Sequence, residues 1–239
     1  MIIFKYLTKM KSNFIHILIH FIFESLAYFV GFKLFKLAQK EDYILPEKRT
    51  WISIACIFGA ALGAKLLTLL EDPNQLNWQG KSIVGALIGG WIAVEIAKKF
   101  LKVNRSTGDI LVIPLLVSII IGRLGCFFAG LEDKTFGIES NLPWAIDFGD
   151  GLKRHPTQLY EIIFILLFLI FIKLNPKMFK PEGILFKSFM LFYLSFRFLV
   201  QFIKPTPHIY YGLDLIQIIS LITIIITIYL MTKNKKVFS

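Results

Sequence analysis

The sequence predicts an all-α, polytopic integral membrane protein of about seven transmembrane helices. Three observations point there. The chain of 239 residues is 56% apolar with a mean hydropathy of +0.66, outside the range of ordinary soluble domains. Apolar runs near 14–37, 51–71, 82–101, 109–131, 157–175, 183–204 and 212–232 are each long enough, at about 1.5 Å per residue, to cross a hydrocarbon core of about 30 Å. The charges between those runs fall in short loops. The runs occupy nearly all of the chain, so 1–239 is expected to form a single integral domain.

The first run carries Glu24 and Tyr28, four residues apart and hence on one helix face. The second and third carry Gly59-Ala60-Ala61-Leu62-Gly63 and Gly85-Ala86-Leu87-Ile88-Gly89-Gly90. Glycines four apart allow two backbones to touch, and both stretches are expected to be packing faces. The third run is the weakest as a span because Glu95, Lys98 and Lys99 crowd its end. Asn104 to Asp109 reads as a turn with Asp109 capping the fourth helix. That helix bears Arg123, and Gly122, Cys126 and Gly130 recur at a spacing of four, which predicts a close helix approach there. After it comes a polar loop rich in Gly, Pro and Asp, with Trp144 suited to a membrane interface. The fifth run opens on Arg154-His155-Pro156-Thr157-Gln158-Leu159-Tyr160-Glu161.

Lys and Arg between the runs are richer on the side of the first, third and fifth loops and the C-terminus, with Lys233, Lys235 and Lys236. This places the N-terminus outside and the C-terminus in the cytoplasm, against a milder opposite bias from Lys5, Lys9 and Lys11. The net charge of +11 is thereby read as loop orientation and anionic-lipid contact, not as nucleic-acid binding. Cys56 and Cys126 both lie in apolar runs and suggest neither a disulfide framework nor a metal site. No cofactor is expected. A transporter is disfavoured by the lack of internal repeats and an expected lack of helix-breaking prolines within the spans.

In this orientation Arg123 lies fourteen residues from Asp109, and Arg197 fourteen from Gly183. Both then sit roughly 21 Å from the inner surface. His155 and Glu161 enter from the same outer side. Arginine inside hydrocarbon costs several kcal/mol, about 3 on the lower scales, and marks a functional position. Two guanidinium groups at one depth can hold a phosphate bidentately and stabilise it as a leaving group. In a bilayer that phosphate belongs to a phospholipid. Glu161 is expected to orient one of the arginines. Glu24 is a further candidate partner, His155 a candidate acid or base or a capping residue, and Cys126 a packing residue or thiol nucleophile.

These residues carry a resemblance. Gly122-Arg123-Leu124-Gly125, Leu142-Pro143-Trp144, the Arg154–Glu161 run, Tyr193 to Phe198 with Arg197, and Gly212 to Gln217 resemble the signature of bacterial prolipoprotein diacylglyceryl transferases over the whole seven-span layout. The resemblance implies transfer of the diacylglyceryl group of phosphatidylglycerol to the lipobox cysteine of a preprolipoprotein. A thioether forms and glycerol phosphate is released, in the bacterial inner membrane, at a site facing the outer side. It also implies that Arg123 and Arg197 hold the lipid phosphate. Tyr28, Gln158, Tyr160, Cys126 and Gln201 join them as substrate-binding candidates. There are departures. Val84-Gly85-Ala86 stands where the family has His-Gly-Gly with an essential histidine. Cys126 replaces an asparagine, Gln201 a glutamate, and Glu24 the first of two tyrosines, while Glu132 only loosely matches a family glutamate. Either another group, with Glu24 and Glu161 as candidates, activates the acceptor, or the acceptor is not a lipobox cysteine, or the chain is a silent phospholipid-binding protein.

Overall fold

The computed structural model describes the backbone of residues 2–39, 44–71, 80–206 and 211–235, and the side chains of 15–39, 44–71, 80–206 and 211–233. Lys5, Lys9, Lys11, Lys235 and Lys236, which entered the orientation count, lie outside the described side chains. Seven α-helices follow in order: α1 (Ile2–Ala38), α2 (Pro46–Glu71), α3 (Ile83–Phe100), α4 (Asp109–Ala129), α5 (Thr157–Leu174), α6 (Ile184–Val200) and α7 (Leu215–Lys235). A two-residue antiparallel ladder, β1 (Ile146–Asp147) with β2 (Lys153–Arg154), lies between α4 and α5. Six of the helices are long and apolar enough to cross a membrane. The exception is α3, whose 18 residues include Glu95, Lys98 and Lys99.

Burial runs opposite to that of a soluble protein. Phe21, Phe58 and Phe100 are 68%, 72% and 82% exposed, while Arg123, Gln158, Glu161, Arg197 and Gln217 are buried. Apolar side chains outward and polar ones inward is the pattern a lipid solvent selects.

The chain divides into two compact units, interleaved in sequence. The first holds residues 1–40, 110–180 and 202–205. Within it α1 turns His16, His20, Phe23, Ala27 and Gly31 inward. The Ser118 hydroxyl donates to the Ala27 carbonyl at 3.0 Å, and a Cβ at Gly31 would collide with the same hydroxyl. A Cβ at Gly125 would lie 2.6 Å from that of Phe23. The contact between α1 and α4 therefore uses Gly31 and Gly125. The expected Gly122–Cys126–Gly130 face is not the one used: nothing lies within 4 Å of a Cβ at Gly122, and Gly130 has left the α-helix at φ +70°. Pro114 stands inside α4, against the expectation of spans free of proline. It lacks the N–H that would reach the carbonyl one turn back.

The second unit holds residues 41–109, 181–201 and 206–239. Here α2 and α3 form a hairpin in which Gly59, Gly63, Gly85 and Gly89 interlock. A Cβ at Gly59 would sit 2.5 Å from the Gly89 carbonyl oxygen, and one at Gly63 or Gly85 would overlap the other's carbonyl. The packing face expected from sequence is therefore present. Ser82 caps α3 by accepting from the Gly85 N–H. Asp109 behaves differently from expectation. Its carboxylate accepts the backbone N–H groups of Gly183 (2.5 Å) and Phe186 (2.8 Å), so it caps the start of α6. Helix α7 opens with a reciprocal capping box: the Gln217 N–H donates to Asp214 Oδ1 (2.8 Å) and the Asp214 N–H to Gln217 Oε1 (2.9 Å).

Candidate functional site

The first unit gathers most of the charged and polar groups singled out from sequence. Arg123 and Glu161 form a buried ion pair, Nε to Oε2 at 2.9 Å, with side chains 8% and 4% exposed. Glu161 thus pairs with Arg123, one of the two arginines considered for it. Removing either member breaks a buried ion pair, which costs about 3–5 kcal/mol. Cys126 lies one turn from Arg123, with the Asp133 carboxylate acting on its thiol.

Asp133 closes the short 3₁₀ turn Gly130–Asp133 after α4 and forms the hub of a second layer. The Thr135 hydroxyl donates to its Oδ2. Thr135 in turn accepts from Gln158 Nε2 (3.0 Å), and its carbonyl accepts from the Thr157 hydroxyl (2.5 Å). The other oxygen, Asp133 Oδ1, lies 2.8 Å from Nε2 of His20. Sequence reasoning missed both His20 and Asp133. The signal was there for His20: stepping back by turns from Gly31 and Ala27 along the inward face of α1 reaches Phe23, His20 and His16.

The polar loop is built by the Asp and Gly residues that marked it as turn chemistry. Asp147 Oδ1 accepts from the N–H groups of Gly149, Asp150 and Gly151 at 2.8–3.1 Å, which holds its carboxyl below the ordinary range. Gly149 and Gly151 take φ of +116° and +83°, which side-chain-bearing residues resist. Arg154 grips both oxygens of Asp150 at 2.7 Å and lies over the Phe136 ring at 4.8 Å. That guanidinium pushes the Asp150 carboxyl down to about 2. Residues 137–140 run beside 153–155: the Gly137 N–H donates to the His155 carbonyl, and Ser140 N–H to that of Lys153. A Cβ at Gly137 would meet the Ile203 carbonyl at 2.6 Å, so the glycine permits this seam.

His155 is no helix cap. Pro156 occupies the cap position of α5. Instead His155 Nδ1 lies 3.0 Å from the Tyr160 hydroxyl, which accepts from Trp144 Nε1 at 2.9 Å. These three side chains, with Leu142, Pro143 and Ile163, line an apolar groove of about 880 Å³. Glu24 is half-buried, and Tyr28 is 72% exposed.

Arg197 and Gln201 belong to the second unit, one turn apart on and just beyond α6, and both are buried. Gln201 Nε2 donates to the Thr206 hydroxyl (3.3 Å), which donates to Asp214 Oδ2 (3.1 Å). Val84 and Gly85 are fully packed within the α2–α3 hairpin. Among the described residues no group of three or more His, Cys, Asp or Glu side chains is arranged to hold a metal.

Comparison with known proteins decides the family. The model of the family described as prolipoprotein diacylglyceryl transferase matches residues 11–233. The chain belongs to that family. It is 31% identical to the phosphatidylglycerol–prolipoprotein diacylglyceryl transferase of Dehalococcoides mccartyi over 77% of each chain. It is 30% identical to that of Clostridium tetani, over 81% of this chain and 82% of the relative. With the enzyme of Campylobacter jejuni subsp. jejuni it shares 31% identity over 86% and 83%. The relatives are transferases of lipoprotein biosynthesis, and this member of the family is a multi-pass bacterial membrane protein.

Proposed function

We propose that the chain transfers the diacylglyceryl group of phosphatidylglycerol to a thiol acceptor, the lipobox cysteine of a preprolipoprotein, and releases glycerol phosphate. The observation that carries this reading is Arg123: a guanidinium 7% exposed in a membrane helix, its Nε edge set by Glu161 at 2.9 Å. A fixed, charged donor in a low-dielectric site is what a departing phosphate needs. Arg197 is assigned the same task on the strength of its register in α6 and its family motif. The apolar groove beside Trp144, Leu159 and Tyr160 suits an acyl chain, and the acceptor reaches the site from the outer side.

In this mechanism the Arg123 guanidinium holds the phosphate that links the two glycerols. The acceptor sulfur displaces it at the adjoining glycerol carbon. Negative charge grows on the phosphate oxygen as the carbon–oxygen bond breaks, and the cation stabilises it. Cys126 is not a nucleophile here. A thioether on Cys126 would be a dead end, because a thiolate bonded to an alkyl carbon is not displaced under mild conditions. Its role is to pack beside Asp133. Gln158 and Tyr160 shape the loop that faces the substrate, through Thr135 and His155.

One observation favours a second reading, a silent phospholipid-binding protein. The position of the family's span histidine is Val84, 0% exposed, so no base stands there. Complementation of a strain depleted of its lipoprotein transferase separates the two. Rescue by the intact chain supports catalysis. Good expression without rescue, together with retained phosphatidylglycerol binding, supports the silent form.

A further inference from the structure

We propose that His20 is the base that removes the proton from the acceptor thiol, with Asp133 as its positioning residue. The inference rests on the diacylglyceryl-transfer reading and supplies the group that reading lacks. His20 projects from the inward face of α1, and its Nε2 lies 2.8 Å from Asp133 Oδ1. The Asp133 side chain is 7% exposed, and its second oxygen accepts from Thr135. A carboxylate tied down at both oxygens fixes the imidazole ring. It also selects the tautomer with the proton on Nε2, leaving the lone pair on Nδ1. The His20 side chain keeps 26% exposure, which leaves room for a substrate to approach the ring.

The surroundings of the pair suit the task. Asp133 also acts on the Cys126 thiol, one turn from Arg123. Among the described residues, the titratable groups against His20 are Asp133 and His16, with ring centroids 4.6 Å apart, while Arg123 and Glu161 act on Cys126. Two other candidates are committed elsewhere. Glu161 is held by the Arg123 guanidinium at 2.9 Å, and its protonation would break that buried pair. His155 turns its Nδ1 to the Tyr160 hydroxyl, in the groove lined by Trp144.

The acceptor S–H proton passes to His20 Nδ1, and the sulfur forms its bond to the glycerol carbon that carries the phosphate. The carbon–oxygen bond breaks, its electron pair leaves on the phosphate oxygen, and the imidazolium returns its proton to the departing glycerol phosphate.

The test uses the full-length protein in phosphatidylglycerol vesicles with a lipobox peptide bearing one free cysteine, and reads glycerol phosphate and thioether peptide. H20Q lowers kcat about 10²–10⁴-fold, the range of general-base catalysis, while phosphatidylglycerol retention is unchanged. H20Q also loses the acid-side limb of the pH–rate profile, and added imidazole restores part of the H20A rate. D133N lowers kcat less than H20Q does. Rates within threefold of wild type in H20Q and H20A overturn the inference and leave the transferase reading standing. So does joint loss of turnover and lipid retention in both H20Q and H20N, which makes the role structural. A wild-type protein that releases no glycerol phosphate overturns the transferase reading itself.

Discussion

The α2–α3 hairpin and the cluster around Arg123 solve the same problem by different means. Both bring membrane helices into close contact where lipid offers no hydrophobic drive for association. In the hairpin, glycines at 59, 63, 85 and 89 bring backbone against backbone, and no reacting group is involved. In the cluster, Arg123, Glu161, Asp133, Thr135, Gln158 and His20 contact through polar side chains. A glycine seam tolerates no added volume, yet its loss would be structural alone. A polar cluster depends on charge balance, so a shape-preserving change should cost chemistry before it costs the fold.

Substitutions sharpen that contrast. Arg123→Ala should have the largest effect, lowering glycerol phosphate release about 10²–10³-fold, the cost of removing one preorganised donor. It also breaks the buried pair with Glu161, so melting should show a loss on the order of 3–5 kcal/mol. Glu161→Gln keeps the shape and releases Arg123, so turnover should fall about tenfold or more, a loss above about 1.4 kcal/mol of transition-state stabilisation, with most protein still folded by size-exclusion chromatography. Gly63→Leu should do the reverse. Overpacking should cost about 1–3 kcal/mol or more, seen as a lower Tm, with kcat per folded molecule unchanged. Equal losses of kcat in Gly63→Leu and Glu161→Gln would erase the distinction. Asp109→Ala should remove the cap on α6 and cost about 0.5–2 kcal/mol, again read as Tm.

The smallest effect is one of pH. Arg154 holds the exposed Asp150 carboxyl at about 2, against an ordinary 3.8. A depressed carboxyl lends its stability above the ordinary value and loses it as pH falls toward the depressed one. The β1–β2 loop should therefore loosen only between about pH 4 and pH 2. Trp144 fluorescence should follow this, and Asp150→Asn should flatten the transition.

The spans were legible because their apolar runs obey bilayer length, and the α2–α3 seam because glycines four apart carry their own geometry. The pairing of Arg123 with Glu161 was also legible, since an arginine inside hydrocarbon demands an anion. Three features were not. Asp109 looked like a cap for the helix it begins, but its carboxylate turns to Gly183 and Phe186, 74 and 77 residues on. The close approach on α4 fell to Gly125 because Phe23 meets it there, and nothing local distinguishes Gly125 from Gly122. His20 and Asp133 meet across more than a hundred residues, so neither advertises the other. An apolar helix with two histidines reads as a span until its inward face is known.

The most direct test of the account is glycerol phosphate release from phosphatidylglycerol by the purified full-length chain with a lipobox peptide, wild type beside Arg123→Ala. The account predicts stoichiometric thioether peptide and glycerol phosphate from wild type, and a loss of at least about a hundredfold in the variant. Equal turnover in the two proteins would contradict it.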